Sequence, residues 1–500
     1  MYNYNYLKKH IELAEELNKP LIINETVKIS KDLIVNTSIE GKGKIITTNS
    51  ARVIIRGNNL TVRGITIDGQ NSGRGLYFFY SSNCNAENVS VVNVIGGGIT
   101  LQTCDNSRIY NCYTKNTSGK YGDGLIALNS KNSIFENNTC LNFQRAGIVV
   151  DWSGEKKSEN PKIINNKCSD AVKSIDGQLN AGIWLENCKG GLIKGNTVKN
   201  TILKGIVVTP NIKGESFKYI VSDNIVMSSN EGLNFVYASN QILNESNNQY
   251  IDVKNIFEIG DCSQAILKNS VFKSQFKDRS YFNSIVRFNP LPDTKTELVI
   301  EGCKNLINGD ETPVDIWNQY RMRADIYVKD CIGNFSISIN ENSLYGNVYI
   351  DNCLLDYNHG KITSYFCNNT GVFKITNSNV KLKNINNFRV QAGEFIVVDC
   401  ELSSSSNICS LFIGQYGTRN IQLINSKFTN IHFYDLVQSN SLIYLNGVTA
   451  KGFPKEGFIS SNVRIKDLTV INSEFQSAKI DEAINIKASN NVILNNKLKN

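Results

Sequence analysis

Two carboxylates in this chain fall where stacked strands would bring them side by side. Gly147 to Asp151 reads GIVVD and Gly182 to Glu186 reads GIWLE, so each acid stands four residues after a glycine. Successive strand side chains face opposite ways, so if the residue after each glycine points inward, the second and fourth point outward. Aligned on their glycines in neighbouring coils, Asp151 and Glu186 share one column with Cα atoms ~4.8 Å apart. Two carboxyls that close push their proton affinities apart, which leaves one protonated as an acid and the other ionised. A separation of roughly 5 Å suits a retaining glycosidase and roughly 6.5 to 9.5 Å an inverting one. Asp123, just before Gly124 one repeat earlier, would offer the wider spacing.

The same alignment faces Tyr77, Phe79, Thr100, Gln102, Ile126, Leu128, Val149, Trp184, Val207 and Thr209 outward. Trp184 stands beside Glu186 and Trp152 follows Asp151, and flat apolar rings suit sugar faces while carboxylates and amides take hydroxyls. Gln102, Tyr77 and Phe79 would extend the contact surface along a groove long enough for a polymer. Tyr121, Arg145 and Lys204 lie near the coil edges, where they could serve as base or charge neutraliser of a β-eliminating lyase. The Gly147 to Gly182 repeat is longer than its neighbours through 152–161 and 169–180, and insertions on a solenoid usually decorate the binding face. The competing readings are solvated surface acids and an outward apolar face that forms a subunit interface.

The elements that would position these residues are repeats. Gly followed by an aliphatic residue recurs at Gly75, Gly98, Gly124, Gly147, Gly182, Gly205 and Gly232, at intervals of 23, 26, 23, 35, 23 and 27. A second marker, a small polar residue after an aliphatic one, runs in phase through Gly41, Gly64, Asn88, Cys112, Asn138, Asn166, Asn196 and Asn224. It continues through Ser270, Cys303, Cys331, Cys353, Ser378, Cys400, Ser426, Gly447, Ser473 and Asn496. Intervals near 25 with short β-branched runs between Asn, Gly and Ser fit one turn of a coil of three strands. Eighteen or nineteen such coils make an all-β, parallel β-helix.

The small polar marker predicts internal columns, because stacked amides hydrogen-bond along a column and Asn tolerates left-handed turns. Cys112, Cys303, Cys331, Cys353 and Cys400 then stack inward and bind no metal. No C-x-x-C pair occurs and there are only 3 histidines. Leu7, Ile11, Ala14 and Leu17 recur at helical spacing within residues 5–18, which predicts a short capping α-helix over the first coil. The organisation expected is a cap and first coil over 1–40, a regular β-helix with the groove over 41–240, and a less regular β-helix over 241–500. The last stretch would serve as rod extension, oligomer contact or glycan binding.

The composition narrows the function classes. Hydrophobic residues are 41% and charged residues 20% of the 500, as in folded globular chains. A net charge of +8 is scattered without a basic tract, so nucleic acid is not an expected partner. No run approaches 18 apolar residues, and MYNYNYLKKHIE lacks an apolar core after its charges, so neither membrane insertion nor a signal peptide is expected. Thirteen cysteines without an export signal predict reduced thiols.

The order of helix, Lys19-Pro20, extended LIIN and strands ending in VRGITIDG resembles the entrance of the pectate-lyase-like, right-handed parallel β-helix superfamily, as in phage tailspikes and polysaccharide depolymerases. That resemblance implies a protein that binds and cleaves a bacterial surface polysaccharide, side-by-side homotrimers, and a place in a virion tail, or in the cytoplasm if not phage-derived. The alternatives are a polysaccharide lyase or uronate epimerase and a non-catalytic glycan-binding rod. The Asp-Asp pair of polygalacturonases and the Asp-Pro-His signature of alginate epimerases are missing. No cofactor is expected, although Asp123, Asp151 and Glu186 leave a calcium ion open.

Overall fold

The structure is a computed structural model. It describes residues 4–499 except 152–156, 174–179, 275–283, 289–294, 308–313, 317–321, 334, 336, 340–343, 358–370, 383–386, 391, 406–407, 414–417, 435–440 and 478. Helix α1 (Tyr4–Glu16) buries Leu7, Ile11 and Ala14 against the first strands, Leu21–Ile22 and Thr26–Ile29, and so covers their edge. Leu17, expected on the same face, is exposed instead. The helix stops before it, and Asn18 takes a left-handed backbone that turns the chain towards the first strand.

The rest of the described chain is short parallel strands, divided into two compact units, Met1–Lys254 and Asn255–Asn500. In the first unit each coil contributes three strands, and each strand pairs in parallel with its counterpart one coil later. The coil of Arg108–Tyr110, Tyr113–Ser118 and Leu125–Leu128 stacks on that of Ile134–Glu136, Thr139–Phe143 and Ala146–Asp151, with Ile109 beside Phe135, Thr114 beside Cys140 and Leu125 beside Ile148. The parallel β-solenoid expected from the repeat is therefore the observed fold. The second unit has the same rung-on-rung pairing and adds a ladder through Asn387–Val390, Cys409–Ile413, Ile431–Tyr434, Ile459–Ser460 and Ile484–Asn485.

The glycine marker has a steric cause. A Cβ on Gly124 would lie 2.5 Å from the Gly147 carbonyl oxygen and 2.8 Å from Cys140 Sγ, and one on Gly147 would lie 2.6 Å from the Gly182 oxygen. Only hydrogen fits where one coil turns under the next.

The small polar marker resolves into two adjacent columns. Asn138, Asn166, Asn196, Asn224 and Asn248 form a buried ladder: from Asn166 onward each amide oxygen accepts from the backbone N–H and the side-chain Nδ2 of the asparagine one coil earlier, at 2.7 to 3.0 Å. Cys112 caps it through its N–H to Asn138 Oδ1. Gly41, Gly64, Asn88 and Gly447, expected in that column, stand one residue earlier, with left-handed backbones on the outer side of the turn. Valines such as Val89 and Val448 fill the internal slot there. The five cysteines expected to stack inward are all buried and free.

One face of the first unit carries the strands that matter below: β1 (Leu76–Phe79), β2 (Ile99–Gln102), β3 (Leu125–Leu128), β4 (Ala146–Asp151), β5 (Ala181–Glu186), β6 (Lys204–Thr209) and β7 (Ile225–Phe235).

Candidate active site

Strands β1 to β7 pair in the register that the glycines predict. Tyr77, Thr100, Ile126, Val149, Trp184, Val207 and Asn234 form one outward column. Phe79, Gln102, Leu128, Asp151, Glu186 and Thr209 form the next, and because Val150 pairs with Leu185, Asp151 and Glu186 are neighbours on adjacent rungs. The alternate positions, Leu76, Ile99, Leu125, Ile148, Ile183 and Ile206, fill the core without exposure. That hydrophobic column holds the carboxylates outward, since a slip of one residue would bury both acids.

The first outward column is largely covered within the chain. Ile126 and Val149 are buried and pack with Ala146, Leu128 and Trp184, and Thr100 and Val207 are buried too. These residues form the floor of a groove.

Asp151 and Glu186 share a side-chain hydrogen bond. Burial, followed by the negative charge of Asp151, pushes the Glu186 carboxyl up to about 7, while Arg145 opposes that rise. Near neutrality Glu186 is therefore poised between its protonated and ionised forms. Asn187 Nδ2 donates to Asp151 Oδ1 at 3.3 Å, and Ser158 Oγ donates to the Asp151 carbonyl at 2.7 Å, fixing the end of β4.

Asp123 does not join them. It is fully buried and held by Arg145, whose Nε donates to both carboxylate oxygens at 2.9 and 3.1 Å and whose Nη2 donates at 2.7 Å; Ala146 N–H donates a further bond at 3.0 Å. Burial raises the Asp123 carboxyl and the guanidinium pulls against it. Burial acts to lower the Arg145 pKa, but the charges of Asp123, Glu186 and Asp151 more than offset that, so the cation persists. Thus locked, Arg145 lies over two rings, with its Cζ 5.4 Å from the Tyr121 centroid and 5.6 Å from that of Trp184.

Two pockets open on either side of the pair. The first, about 510 Å³, is lined by Tyr77, Gln102, Tyr121, Arg145 and Asp151, together with Arg74 and Lys120. The second, about 400 Å³, is lined by Trp184, Glu186, Asn187, Lys204, Thr209 and Tyr237, among others. Trp184 Nε1 donates to Thr209 Oγ1 at 3.0 Å, which orients the indole, and Lys204 is paired with Glu231 at 2.7 Å. Phe79 stands outward at the head of its column, with Arg56 Cζ 5.7 Å from its ring centroid. Trp152 lies outside the described residues. Among the described residues, no group of three or more His, Cys, Asp or Glu side chains gathers to hold a metal ion.

Arg74, Lys120, Asn187, Asn234 and Tyr237 were not anticipated from the sequence. Asn234 was within reach, since extending the glycine register to Gly232 places it outward. Lys120 and the corner residues Asn187 and Tyr237 carry no spacing signal that separates them from ordinary turn residues.

Residues 51–212 match the family described as "Right handed beta helix region". No curated protein matches the sequence. Among solved structures, the periplasmic alginate epimerase AlgG is similar, with 11% identity and a TM-score of 0.38 over 65% of this chain and 77% of its own. A mutant tailspike of Escherichia coli bacteriophage HK620 in complex with a hexasaccharide has 11% identity and a TM-score of 0.37 over 86% and 75%. The Streptococcus pneumoniae surface protein and adhesin PfbA has 13% identity and a TM-score of 0.32 over 84% and 94%. The likeness to these proteins is one of fold.

Proposed function

We propose that the β1–β7 face binds an extended polysaccharide and that Glu186 and Asp151 hydrolyse one of its glycosidic bonds. The observation that carries this reading is a hydrogen-bonded carboxyl pair with one member lining each of two pockets on a single face. A sugar in each pocket sets the bond between them over the pair.

In the mechanism, Glu186 holds the proton because burial and Asp151 raise its affinity to about 7. It gives that proton to the leaving glycosidic oxygen as the C–O bond breaks. Asp151, released from the shared hydrogen bond, either attacks the anomeric carbon or takes a proton from the water that does. Asn187 steadies it throughout. Substrate entry must part the hydrogen-bonded pair, since both spacings used by glycosidases exceed hydrogen-bond contact. Asp123 is a positioning residue that holds Arg145 against Tyr121 and Trp184, so those rings stand ready as sugar platforms.

The test incubates purified protein with a panel of bacterial capsular and O-antigen polysaccharides while following reducing ends and 235 nm absorbance together. New reducing ends without absorbance, lost in Glu186→Gln and in Asp151→Asn, are expected. Absorbance rising with the reducing ends would replace hydrolysis by β-elimination, with Tyr121 or Lys204 as base. Binding with neither signal would leave a glycan-recognising rod.

A further inference from the structure

Two tyrosines mark off a defined length of this face. Directly after the Phe79-to-Thr209 column each coil turns a corner, and the register places Tyr80, Thr103, Asn129, Asn187, Pro210 and Tyr237 there on successive described rungs. Tyr80, Thr103, Asn129, Asn187 and Tyr237 have left-handed backbones, with φ of 53°, 56°, 51°, 48° and 56°. Asparagine suits that conformation, whereas a bulky ring is strained in it. Among the described non-glycine residues with left-handed backbones, Tyr80 and Tyr237 are the only aromatic ones.

Packing does not explain that strain, because both side chains are 68% exposed, more than any other large apolar or aromatic side chain described. Strain held without a packing return points to a role at the surface. Both rings also border the groove. Tyr80 meets Phe79 edge-on at 4.5 Å, and Tyr237 lines the second pocket with Trp184 and Glu186. They stand six rungs apart, which is about 29 Å along the solenoid at the ~4.8 Å spacing of parallel strands. Asp151 is on the third rung after Tyr80 and Glu186 on the fourth.

We infer that Tyr80 and Tyr237 are the end platforms of the glycan site, stacking on the outermost sugars of a bound segment about seven residues long. The count follows because an extended pyranose chain advances about as far per residue as the solenoid does per rung. The carboxyl pair sits off centre between them, nearer Tyr237, so the enzyme cuts inside a chain and leaves the longer part of the bound segment on the Tyr80 side. This inference rests on the polysaccharide reading above.

The test uses Tyr80→Asn and Tyr237→Asn, which place at each end the residue that Asn129 and Asn187 already carry at this corner. Oligosaccharides of graded length are prepared by partial acid hydrolysis of whichever polysaccharide in the panel the wild type cleaves or retards in affinity electrophoresis. For wild type, kcat/KM, or affinity measured with Glu186→Gln, should rise with length up to about seven residues and then level off. Each Asn variant should lower the value for the longest fragments about tenfold and level off at a shorter length. Its thermal midpoint should stay or rise, because the strain is relieved. Unchanged length profiles in both variants overturn the inference and leave hydrolysis at the carboxyl pair standing. Loss of folding stability together with lost binding would assign the tyrosines to the fold and also overturn it. A wild type that neither cleaves nor retards any polysaccharide removes the functional reading and the inference with it.

Discussion

Replacing Glu186 by glutamine should stabilise the protein, and only at neutral to alkaline pH. The Glu186 carboxyl is pushed from 4.5 to about 7 by burial and by the charge of Asp151. In the unfolded chain it ionises near 4.5, so between that pH and 7 the folded state binds more protons than the unfolded one. Stability therefore falls as pH rises through this window, and the deficit is complete above pH 8. A rise from 4.5 to about 7 corresponds to at most ~3.4 kcal/mol. Because Glu186 is only partly buried, solvent screening reduces this to about 1–2 kcal/mol. Glutamine matches the protonated carboxyl in shape and can donate to Asp151 through Nε2, so it keeps the hydrogen bond and removes the charge. Thermal and urea unfolding at pH 5 and pH 9 read the effect. We expect a midpoint about 1–2 °C higher for Glu186→Gln at pH 9 and a much smaller difference at pH 5. An equal gain at both pH values, or a loss at pH 9, would refute the account of a proton held by burial and a neighbouring carboxylate.

Four further outcomes are expected. Glu186→Gln and Asp151→Asn should each lower reducing-end formation about 10² to 10⁴-fold, and wild-type kcat should fall on the alkaline side near pH 7, where Glu186 loses its proton; a profile flat from pH 6 to 9 would remove Glu186 as the acid. Asp123→Ala strands a nearly buried guanidinium, so denaturant unfolding should show a loss of about 3–5 kcal/mol, and a loss below about 1 would mean that Arg145 finds another partner. Asn196→Ala leaves the buried Asn166 N–H without its acceptor and should cost about 2–3 kcal/mol, whereas Asn196→Ser, whose hydroxyl oxygen is still an acceptor, should cost less. Burial pushes Cys104, Cys112, Cys262 and Cys409 up to about 12, so a thiol reagent should label almost no cysteine in native protein at pH 8, and prompt reaction of several would contradict the internal columns.

Several features were legible in the residues because they repeat. From Gly75 to Gly205 each coil places a glycine where it passes under the carbonyl of the next, so Gly124, Gly147 and Gly182 record the register directly. With strand alternation that register sets Asp151 beside Glu186, Trp184 outward, and Ile148 and Ile183 in the core. The internal columns were legible for the same reason, since a buried turn admits only asparagine, serine, cysteine or a small aliphatic. The one-residue displacement of Asn88 shows the limit of the pattern: two neighbouring columns both favour asparagine, one for its hydrogen bonds and one for its tolerance of positive φ. Composition alone does not separate them.

What the tertiary structure decided concerns side chains that reach across rungs and out of the periodic pattern. Asp123 reads as an acid available to substrate until Arg145, 22 positions later, closes on it from the next coil. Val149 and Thr100 face outward by alternation yet are buried, because the groove floor is packed over. The opening of one pocket at Asp151 and another at Glu186, and the placement of Arg145 over Tyr121 and Trp184, arise only in the folded coil. Periodicity determines where each Cα sits and which way its side chain leaves the strand. Burial, charge pairing and proton affinity depend on neighbours a full coil away in sequence, and only the folded coil brings those together.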